Sequence, residues 1–277
     1  MNRAGRAPAG SAVGIDVGGT KIAAGLVDGG SGRILAREEL PTRPGRGGAA
    51  VLLECAALAL ALGGGEVPVG IGLCELVDLR GRPMSADTVD WRDLDVAGAI
   101  AAPRVVLESD VRAAAHAEAL FGAGAGRSPF LYVVVGTGAS ACLVVDGKPY
   151  AGARGQAIVL GAPPVERIAS GQALATRAGL ERAEAVLADP ACASLVDEAA
   201  AALGHVLAVL VNALDPSVLV IGGGLGGEHS FRERVAAAVR SSIAYPPTPA
   251  LEILGSRLGP DGGLVGAALA ALDRTRR

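Results

Sequence analysis

The chain has 277 residues, of which 51% are apolar and 19% charged, and its formal net charge is −3. It can therefore bury a sizeable core and is long enough for two modest domains. Its 25 basic and 28 acidic side chains are interspersed, which excludes the basic footprint of a nucleic-acid-binding surface and the polybasic patch of a membrane-surface protein. The composition predicts a globular protein whose partners are small molecules, with no nucleic acid and no membrane.

Cysteine usage and the first residues indicate where the protein works. None of the four cysteines forms a C-x-x-C pair, which fits reduced thiols in the cytoplasm better than a disulfide framework or a zinc site. Residues 1–12 lack the apolar stretch of a signal peptide, and we expect them to be a disordered start of a cytoplasmic chain. No apolar run free of Gly and charge is long enough to cross a membrane.

The first of three glycine clusters lies in VGIDVGGTKIAAGLVD, residues 13–28. Apolar residues alternate on both sides of Gly18-Gly19, which predicts a β-hairpin with a tight glycine turn. Asp16 falls on the first strand and Thr20-Lys21 at the tip. The backbone N–H groups of such a turn can face phosphate oxygens, because no Cβ blocks their approach.

Two further glycine clusters also follow apolar runs. Residues 130–150, FLYVVVGTGASACLVVDGKPY, predict a second hairpin around Gly136-Thr137-Gly138 and a turn at Asp146-Gly147. Residues 218–227, VLVIGGGLGG, predict a buried strand that runs into glycines, followed by an amphipathic helix from about Phe231. Taken alone, each cluster is also typical of an ordinary structural turn.

Gly222, Gly224 and Gly227 satisfy the G-x-G-x-x-G pattern of a dinucleotide site. That fingerprint belongs to the first βαβ unit of a domain, with an acidic residue about 20 positions further on. The corresponding stretch here reads RSSIAYPP, residues 240–247. We therefore do not expect NAD to bind.

Asp110 stands where an apolar run meets an alanine-rich segment, in VVLESDVRAAAHAEALFGAG, residues 105–124. Val105–Leu107 read as the end of a buried strand and residues 111–121 as a helix. By local rules Ser109 or Asp110 caps that helix, because the free N–H groups at a helix start favour a side-chain oxygen. Catalysis by the Asp110 carboxylate is the alternative, and the rest of the chain has to decide it.

The glycine clusters and the Asp110 segment occur in the order and approximate spacing of the ROK family, which comprises sugar kinases and related repressors. The chain resembles that family from Val13 to Leu272. The segments that carry the resemblance are GIDVGGTKIAAGLVD, ESDVRAAAHAEALFGAG, YVVVGTGASACLVVDGKPYAG, ERIASGQAL, LDPSVLVIGGGL and LGPDGGLVGAALAAL. The DNA-binding helices of the family's repressors find no room before Val13, so the kinase branch is the better match.

The resemblance implies an α/β, two-domain actin/hexokinase-like (ribonuclease H-like) fold with an active-site cleft between the domains. Residues 13–112 would form a small N-terminal α/β domain completed by a C-terminal helix over 262–277, and residues 113–261 a large C-terminal α/β domain. Apolar periodicity itself predicts a long buried helix over 195–216 and a final helix over 262–274. The family often dimerises, so a homodimer is compatible with the resemblance.

The resemblance also implies ATP and Mg²⁺. Phosphoryl transfer needs phosphate cradles, a metal and an aligned acceptor hydroxyl. Asp16 would hold Mg²⁺ through water, since Mg²⁺ keeps much of its hydration. Asp110 would orient the attacking hydroxyl and accept its proton as general base. The ATP-binding residues would be Gly18, Gly19, Thr20, Lys21, Gly136, Thr137, Gly138, Gly222, Gly223 and Gly224.

The acceptor side departs from the family pattern. ROK sugar kinases carry Glu-Asn-Asp where this chain has Glu108-Ser109-Asp110, so one acceptor contact is changed. The family's Gly-Glu-x-Gly-His falls on residues 158–162, with Val159 at the glutamate position and Ala162 at the zinc-ligand histidine. The cysteine-rich zinc loop that should follow is replaced by PPVE. We therefore expect no zinc.

Other acidic residues are candidates for the acceptor pocket. Glu166 matches the family's later substrate-binding glutamate. Glu75 replaces part of a Pro-Gly-Pro turn, and it either projects an acid towards the substrate or is a solvated loop residue. Asp87 stands where an Asn is common, and Trp91 either lines the pocket or packs in the core. With Ser109, the predicted substrate-binding residues are thus Glu166, Glu75 and Asp87.

We expect an ATP-dependent kinase that transfers the γ-phosphate to a hydroxyl of a sugar-like polyol, with Asp110 as general base. The changed acceptor residues favour a cyclitol or carbasugar, or an amino or deoxy sugar. Two alternatives stay open. The first is an ordinary hexokinase or glucokinase, and the second is a non-catalytic ROK-like sugar sensor.

Overall fold

The structure is a computed structural model that describes residues 7–63, 65–158, 160, 163–244 and 250–273. Its strands are β1 (Ser11–Val17), β2 (Lys21–Asp28), β3 (Ile34–Pro41), β4 (Val69–Leu73), β5 (Val105–Ser109), β6 (Phe130–Val135), β7 (Ala139–Val145), β8 (Lys148–Pro149), β9 (Val218–Gly222) and β10 (Glu252–Gly255). Its α-helices are α1 (Gly48–Ala61), α2 (Val96–Ala99), α3 (Asp110–Phe121), α4 (Pro163–Ala169), α5 (Gly171–Ala178), α6 (Ala183–Ala188), α7 (Ala193–Leu214), α8 (Gly224–Gly227), α9 (His229–Ser242) and α10 (Gly262–Leu272).

The local patterns in the sequence predicted most of these elements. Both hairpins are present, with β1 antiparallel to β2 and β6 antiparallel to β7. Asp146 and Gly147 form the turn between β7 and β8, with φ of 51° and 73°, as two-residue hairpin turns require. The helix predicted over 195–216 is α7, and the amphipathic helix expected from about Phe231 is α9, which starts at His229.

The chain divides into two compact units. Among the described residues, the first unit comprises those up to Ala117, Ala151–Gln156 and those from Asp261 onwards, and the second comprises Glu118–Tyr150 and Ala157–Pro260. The division therefore falls inside α3, later than the predicted boundary between residues 112 and 113. Segment 151–156 was predicted to belong to the other domain, but Arg112 Nη1 donates to the Gly155 carbonyl and holds it in the first unit. That contact joins residues far apart in sequence, so no local pattern reveals it.

The first strand begins earlier than predicted. Ser11 pairs with Asp28 across the β1–β2 hairpin, and Ala12 has no exposed surface. The expected disordered start, residues 1–12, is thus wrong for Ser11 and Ala12, because the hairpin extends to them. Residues 1–6 lie outside the described residues.

The sheet of the first unit has the strand order β3-β2-β1-β4-β5. β1, β2 and β3 are antiparallel, whereas β4 and β5 run parallel to β1. The terminal helix α10 packs on β1 and β4. This approach is close, because a Cβ at Gly14 or Gly70 would overlap the backbone of α10. Helix α1 adds Val51, Leu52 and Cys55 to the same apolar core.

The sheet of the second unit repeats this topology. Its order is β10-β9-β6-β7-β8, with β7 and β8 antiparallel to their neighbours and β9 and β10 parallel to β6. In each sheet the parallel strands therefore end at one edge. In the first sheet Leu73 pairs with both Val17 and Ser109, and in the second Gly222 pairs with Val134.

By length and composition, one helical region of the described chain, Pro190–Leu214, could cross a membrane. The sequence analysis had expected no such region. In the second unit this region packs against α9. Leu203 and Leu207 have no exposed surface and belong to the apolar core of that unit. Core packing accounts for the apolar composition.

Candidate active site

Two carboxylates lie together at the carboxyl edge of the first sheet. Asp16 is near the end of β1, and Asp110 begins α3 directly after β5. Gly72 of β4 stands between them, since a Cβ there would lie 3.5 Å from the Asp110 Cα and 3.6 Å from Oδ1 of Asp16. The register of three parallel strands thus makes the predicted metal ligand and the predicted base neighbours.

The environment of Asp16 disfavours its charged form. The pKa of Asp16 is raised to about 6: burial raises it most, the Lys21 ammonium opposes this, and the Asp261 charge contributes to the increase. No hydrogen bond from the described residues contributes to this balance. The start of α10 adds to the crowding, because a Cβ at Gly263 would overlap the Asp16 carboxylate. Asp16 is therefore an acceptor-only group that a cation would stabilise.

Asp110 combines a local hydrogen bond with a raised pKa. Its Oδ1 accepts from the Val111 N–H at 2.7 Å and from the Ser109 hydroxyl at 3.4 Å. The pKa of Asp110 is raised to about 7: burial contributes most and the Asp16 charge also raises it, while those two hydrogen bonds oppose the increase. Both interpretations of the residue are compatible with this geometry. It satisfies one N–H at the start of α3, and it titrates near the pH at which a general base is most effective.

The structure corrects the predicted role of Ser109. The residue has no exposed surface, so its hydroxyl does not face the sugar-like substrate directly. That hydroxyl donates to Asp110, and the Ser109 N–H donates to Oε1 of Glu108 at 2.8 Å. Ser109 therefore acts on the orientation and pKa of Asp110. The reason is its place at the buried end of β5, which its sequence position beside Asp110 does not reveal.

Glu75 matches neither of its two predicted roles. It is only 2% exposed, so it is neither a solvated loop glutamate nor an acid that projects freely. Its Oε2 accepts from the Ser85 hydroxyl and from the Asp87 N–H at 2.9 Å. Its Oε1 accepts from the N–H groups of Thr88 at 2.7 Å and Val89 at 3.0 Å. The carboxylate organises the backbone of a loop.

The loop held by Glu75 carries the other predicted acceptor-side residues. Asp87 is exposed. Trp91 is 1% exposed and belongs to the apolar core of the first unit, which is the core-packing alternative of its two predicted roles. Its indole N–H has no hydrogen-bond partner among the described residues.

The first glycine turn is held by its own hydrogen bonds. The Gly18 N–H donates to the Lys21 carbonyl at 3.0 Å. Thr42, which sequence reasoning did not single out, donates from its hydroxyl to the Gly18 carbonyl at 2.7 Å and from its N–H to the Thr20 carbonyl at 3.1 Å. Lys21 points to Glu39, with Nζ 3.2 Å from Oε2. The ammonium thus pairs with an exposed carboxylate, which another anion can replace.

The second glycine turn, Gly136–Gly138, connects β6 to β7 in the second unit. The Ala139 N–H donates to Oε1 of Glu166 at 3.2 Å, and a Cβ at Gly138 would overlap the same oxygen. Glu166 is exposed, so its second oxygen can meet a ligand. The structure thus links the predicted acceptor-binding glutamate to the predicted phosphate-binding turn.

The third cluster follows β9 at the same edge of the second sheet. Gly223 has φ of 87°, and a Cβ there would overlap the Val135 carbonyl. Nothing lies within 4 Å of a Cβ placed on Gly224. The tightly packed end of β9 is therefore followed by free space at Gly224. A flat ligand could lie on the backbone there.

Two predictions fall outside the described residues. They concern Val159, at the family's glutamate position, and Ala162, at its zinc-ligand histidine. Among the residues that the structure describes, no group of three or more His, Cys, Asp and Glu side chains is arranged to hold a metal ion. The expectation of no zinc stays a prediction.

The residues of the first unit fit Mg²⁺ bound largely through water. Mg²⁺ is commonly held by one or two carboxylates together with substrate phosphates, rather than by a full protein cage. Asp16 supplies one carboxylate without a hydrogen-bond donor, and a second carboxylate, Asp110, lies beside it. This donor set is hard and oxygen-only, as Mg²⁺ prefers.

A buried ion pair next to Asp110 also escaped sequence reasoning. Arg112 is 3% exposed and Glu108 5% exposed, and their closest nitrogen and oxygen are 2.6 Å apart. Arg112 Nη2 also donates to the Val77 carbonyl at 2.7 Å. The pair therefore fixes the start of α3 on both sides of Asp110. Its i,i+4 spacing was visible in the sequence, but its burial was not.

The chain resembles known proteins along almost its whole length. The ROK family profile matches residues 12–274. A glucokinase of Streptomyces coelicolor is 30% identical, over 94% of this chain and 96% of its own, and an N-acetylmannosamine kinase of Yersinia pseudotuberculosis is 28% identical, over 94% and 98%. A ROK family glucokinase from Streptomyces griseus, solved in complex with glucose and AMPPNP, matches with a TM-score of 0.83 at 29% identity, over 95% of this chain and 99% of that one. The chain has the actin/hexokinase-like α/β fold and belongs to the ROK family.

Proposed function

We propose that this protein is an ATP- and Mg²⁺-dependent kinase that transfers the γ-phosphate of ATP to a hydroxyl of a sugar-like polyol. The observation that carries the proposal is the pair of carboxylates at one strand edge, Asp16 and Asp110, with pKa values of about 6 and about 7. A carboxylate that titrates near neutral pH can accept the proton of an alcohol as the new P–O bond forms.

Each chemical requirement of phosphoryl transfer is assigned to a residue in the proposal. Asp110 orients the acceptor hydroxyl and takes its proton, and the Val111 N–H and Ser109 hydroxyl hold the carboxylate in place. Asp16 holds Mg²⁺, which when bound neutralises phosphate charge. The glycine turns at 18–19 and 136–138 offer backbone N–H groups to phosphate oxygens. Gly222, Gly223 and Gly224 are proposed to accommodate the nucleoside.

We propose an acceptor other than plain glucose. The side chains of Val159 and Ala162 have no polar atoms that could bind hydroxyl groups. A site without those polar partners favours a substrate whose ring carries different groups, such as a cyclitol, a carbasugar or a deoxy sugar. An amino sugar has less support than the sequence indicated, because Glu75 is occupied by its own loop. The glucokinase relative supports ordinary hexose phosphorylation as the alternative, and the N-acetylmannosamine kinase supports an N-acylated amino sugar. Free cysteines in the described chain fit the proposed cytoplasmic setting.

The test is an ADP-release assay with Mg-ATP against a panel of hexoses, N-acylated and free amino sugars, deoxy sugars and cyclitols. Asp110→Asn is the blank, and Asp197→Asn, which changes an exposed carboxylate, is the matched control. We expect the wild type and the control to turn over one acceptor class at rates at least about a hundredfold above the blank. Glucose as the best acceptor would contradict the assignment of the altered pocket, and turnover in Asp110→Asn would contradict the assignment of the base.

A sugar sensor is the second candidate, because the acceptor pocket is altered at Val159 and Ala162. It predicts saturable binding of nucleotide and sugar by calorimetry without ADP release above the Asp110→Asn blank. The retained pair of Asp16 and Asp110 argues against it, since binding alone needs no general base.

A further inference from the structure

Glu75 is a buried acid that the proposed reaction does not use directly. It stands just after β4, and residues 85–89 donate four hydrogen bonds to its two oxygens. The Ser85 hydroxyl oxygen in turn accepts the Leu76 N–H at 3.0 Å. The loop is thereby closed onto the residue that follows Glu75.

A carboxylate is suited to this role. It is acceptor-only and offers about four lone-pair sites on two oxygens, which equals the number of donors present. Glutamine has the same shape but would turn an NH₂ group towards N–H donors on one side. Hydrogen bonds to an ionised oxygen are also stronger than those to a neutral one. A buried carboxylate without these donors would destabilise the fold.

The loop that Glu75 holds lies beside the proposed catalytic residues of the same unit. A Cβ on Gly19 would lie 3.4 Å from the Thr88 methyl carbon, so the loop contacts the first glycine turn. The Glu75 charge also acts on Asp110 and contributes to its raised pKa. Asp87 of the same loop is exposed.

We propose that Glu75 is a positioning residue that holds residues 85–89 in the conformation in which Asp87 meets the acceptor. The inference rests on the kinase function proposed above, and Glu75 acts through the loop backbone without contacting the acceptor. ATP binding should depend much less on Glu75, because Thr42 holds the first glycine turn independently.

The first experiment measures hydrogen exchange of the Asp87, Thr88 and Val89 amides by NMR in the wild type and in Glu75→Gln. Ser85→Ala serves as a milder variant, because it leaves all backbone donors to Glu75 in place. We expect exchange about tenfold or more faster in Glu75→Gln and a smaller change in Ser85→Ala. Unchanged protection in Glu75→Gln would overturn the proposal, and this readout does not depend on turnover.

The second experiment separates acceptor binding from ATP binding in the full-length enzyme. In Glu75→Gln we expect the KM for the acceptor to rise about tenfold, while the KM for ATP stays within about twofold. Because Glu75 is proposed to act through Asp87, adding Glu75→Gln to Asp87→Asn should raise the acceptor KM by much less than it does in the wild type. Equal rises in both KM values, or fully additive effects, would overturn the proposal.

The two experiments distinguish this inference from the proposed function. If the wild type turns over an acceptor but Glu75→Gln keeps its amide protection and its acceptor KM, the positioning role fails and the kinase assignment stands. If the wild type releases no ADP with any acceptor, the kinase assignment fails, and with it the role of the loop in acceptor binding.

Discussion

Asp110 shows how much of the candidate chemistry depends on a single position. The residue begins α3 and accepts the N–H of Val111, which is all that local sequence rules require of it. Its pKa of about 7 arises from burial and from the charge of Asp16, a residue almost a hundred positions earlier in the chain. The same carboxylate thus serves the helix start through a neighbour in sequence and the proposed proton transfer through a neighbour in space.

We predict that turnover depends on the protonation of Asp110. The base acts only when deprotonated, and its pKa without metal is raised to about 7. Mg²⁺ at Asp16 favours the charged form of Asp110 and lowers that pKa, so kcat/KM should be constant above the pKa of the Mg²⁺-loaded enzyme and fall about tenfold per pH unit below it. The measurement is a pH–rate profile of the wild type with saturating Mg-ATP. A profile that stays flat down to pH 5 would contradict the role of Asp110.

At the scale of elements, the site depends on strand ends that meet and on a helix that packs closely beneath them. β1, β4 and β5 bring Asp16, Glu75 and Asp110 to one edge of the first sheet. α10 supports that sheet at glycines, and a Cβ at Gly70 would overlap the carbonyl of Ala267. The buried pair of Glu108 and Arg112 then fixes the start of α3.

Gly70→Ala should destabilise the protein severely. The added methyl group meets the backbone of α10, which cannot move aside as a flexible side chain could, so we expect a loss of roughly 3 kcal/mol or more in the free energy of unfolding. Gly45→Ala is the matched control, since nothing lies within 4 Å of a Cβ there. Thermal and urea unfolding would compare the two variants, and similar stability of both would contradict the packing of α10 on β4.

Arg112→Met should also destabilise the protein, because it removes the positive charge that pairs with the buried Glu108 carboxylate. Removing one member of a buried ion pair typically costs about 3–5 kcal/mol. Arg92→Met removes a member of an exposed pair, with side chains 57% and 53% exposed, and should change stability by no more than about 1 kcal/mol. Urea unfolding of both variants tests the difference, and equal effects would contradict the burial of Glu108 and Arg112.

The whole molecule consists of two units whose sheets share one topology, and each sheet ends in glycines or acids at its carboxyl edge. The functional edge of the first sheet has an energetic consequence for the whole chain. Asp16 and Asp110 have folded-state pKa values of about 6 and about 7, above the ordinary value of 3.8. The folded state therefore binds more protons than the unfolded state between about pH 4 and pH 7.

Without metal, the contribution of Asp16 and Asp110 to the free energy of unfolding should therefore fall as the pH rises from about 4 to about 7. Asp110→Asn removes one of them, so the variant should gain stability relative to the wild type as pH rises. The gain at pH 8 should be on the order of 1–4 kcal/mol, and it should nearly vanish at pH 4. Urea unfolding of both proteins across this range, in EDTA, measures the difference. Asp87→Asn, at an exposed carboxylate, is the control, and a gain independent of pH would contradict the raised pKa of Asp110.

The sequence by itself determined the local elements and the family resemblance. Alternating apolar residues around Gly18 and Gly136 predicted both hairpins, and helical periodicity predicted α7 and α10. These features depend on neighbours in sequence, so pattern and turn chemistry suffice to predict them. The order of the motifs placed Asp16 and Asp110 among the candidate residues before any contact was known.

Only the tertiary structure decided what the candidate side chains touch. Glu75 holds a loop, Ser109 contacts Asp110, Trp91 lies in the core, and segment 151–156 belongs to the first unit. Each of these outcomes depends on burial or on a partner that is not adjacent in the sequence. A side chain's charge and spacing are written in the sequence, whereas its solvent exposure and its hydrogen-bond partners arise only when the chain packs.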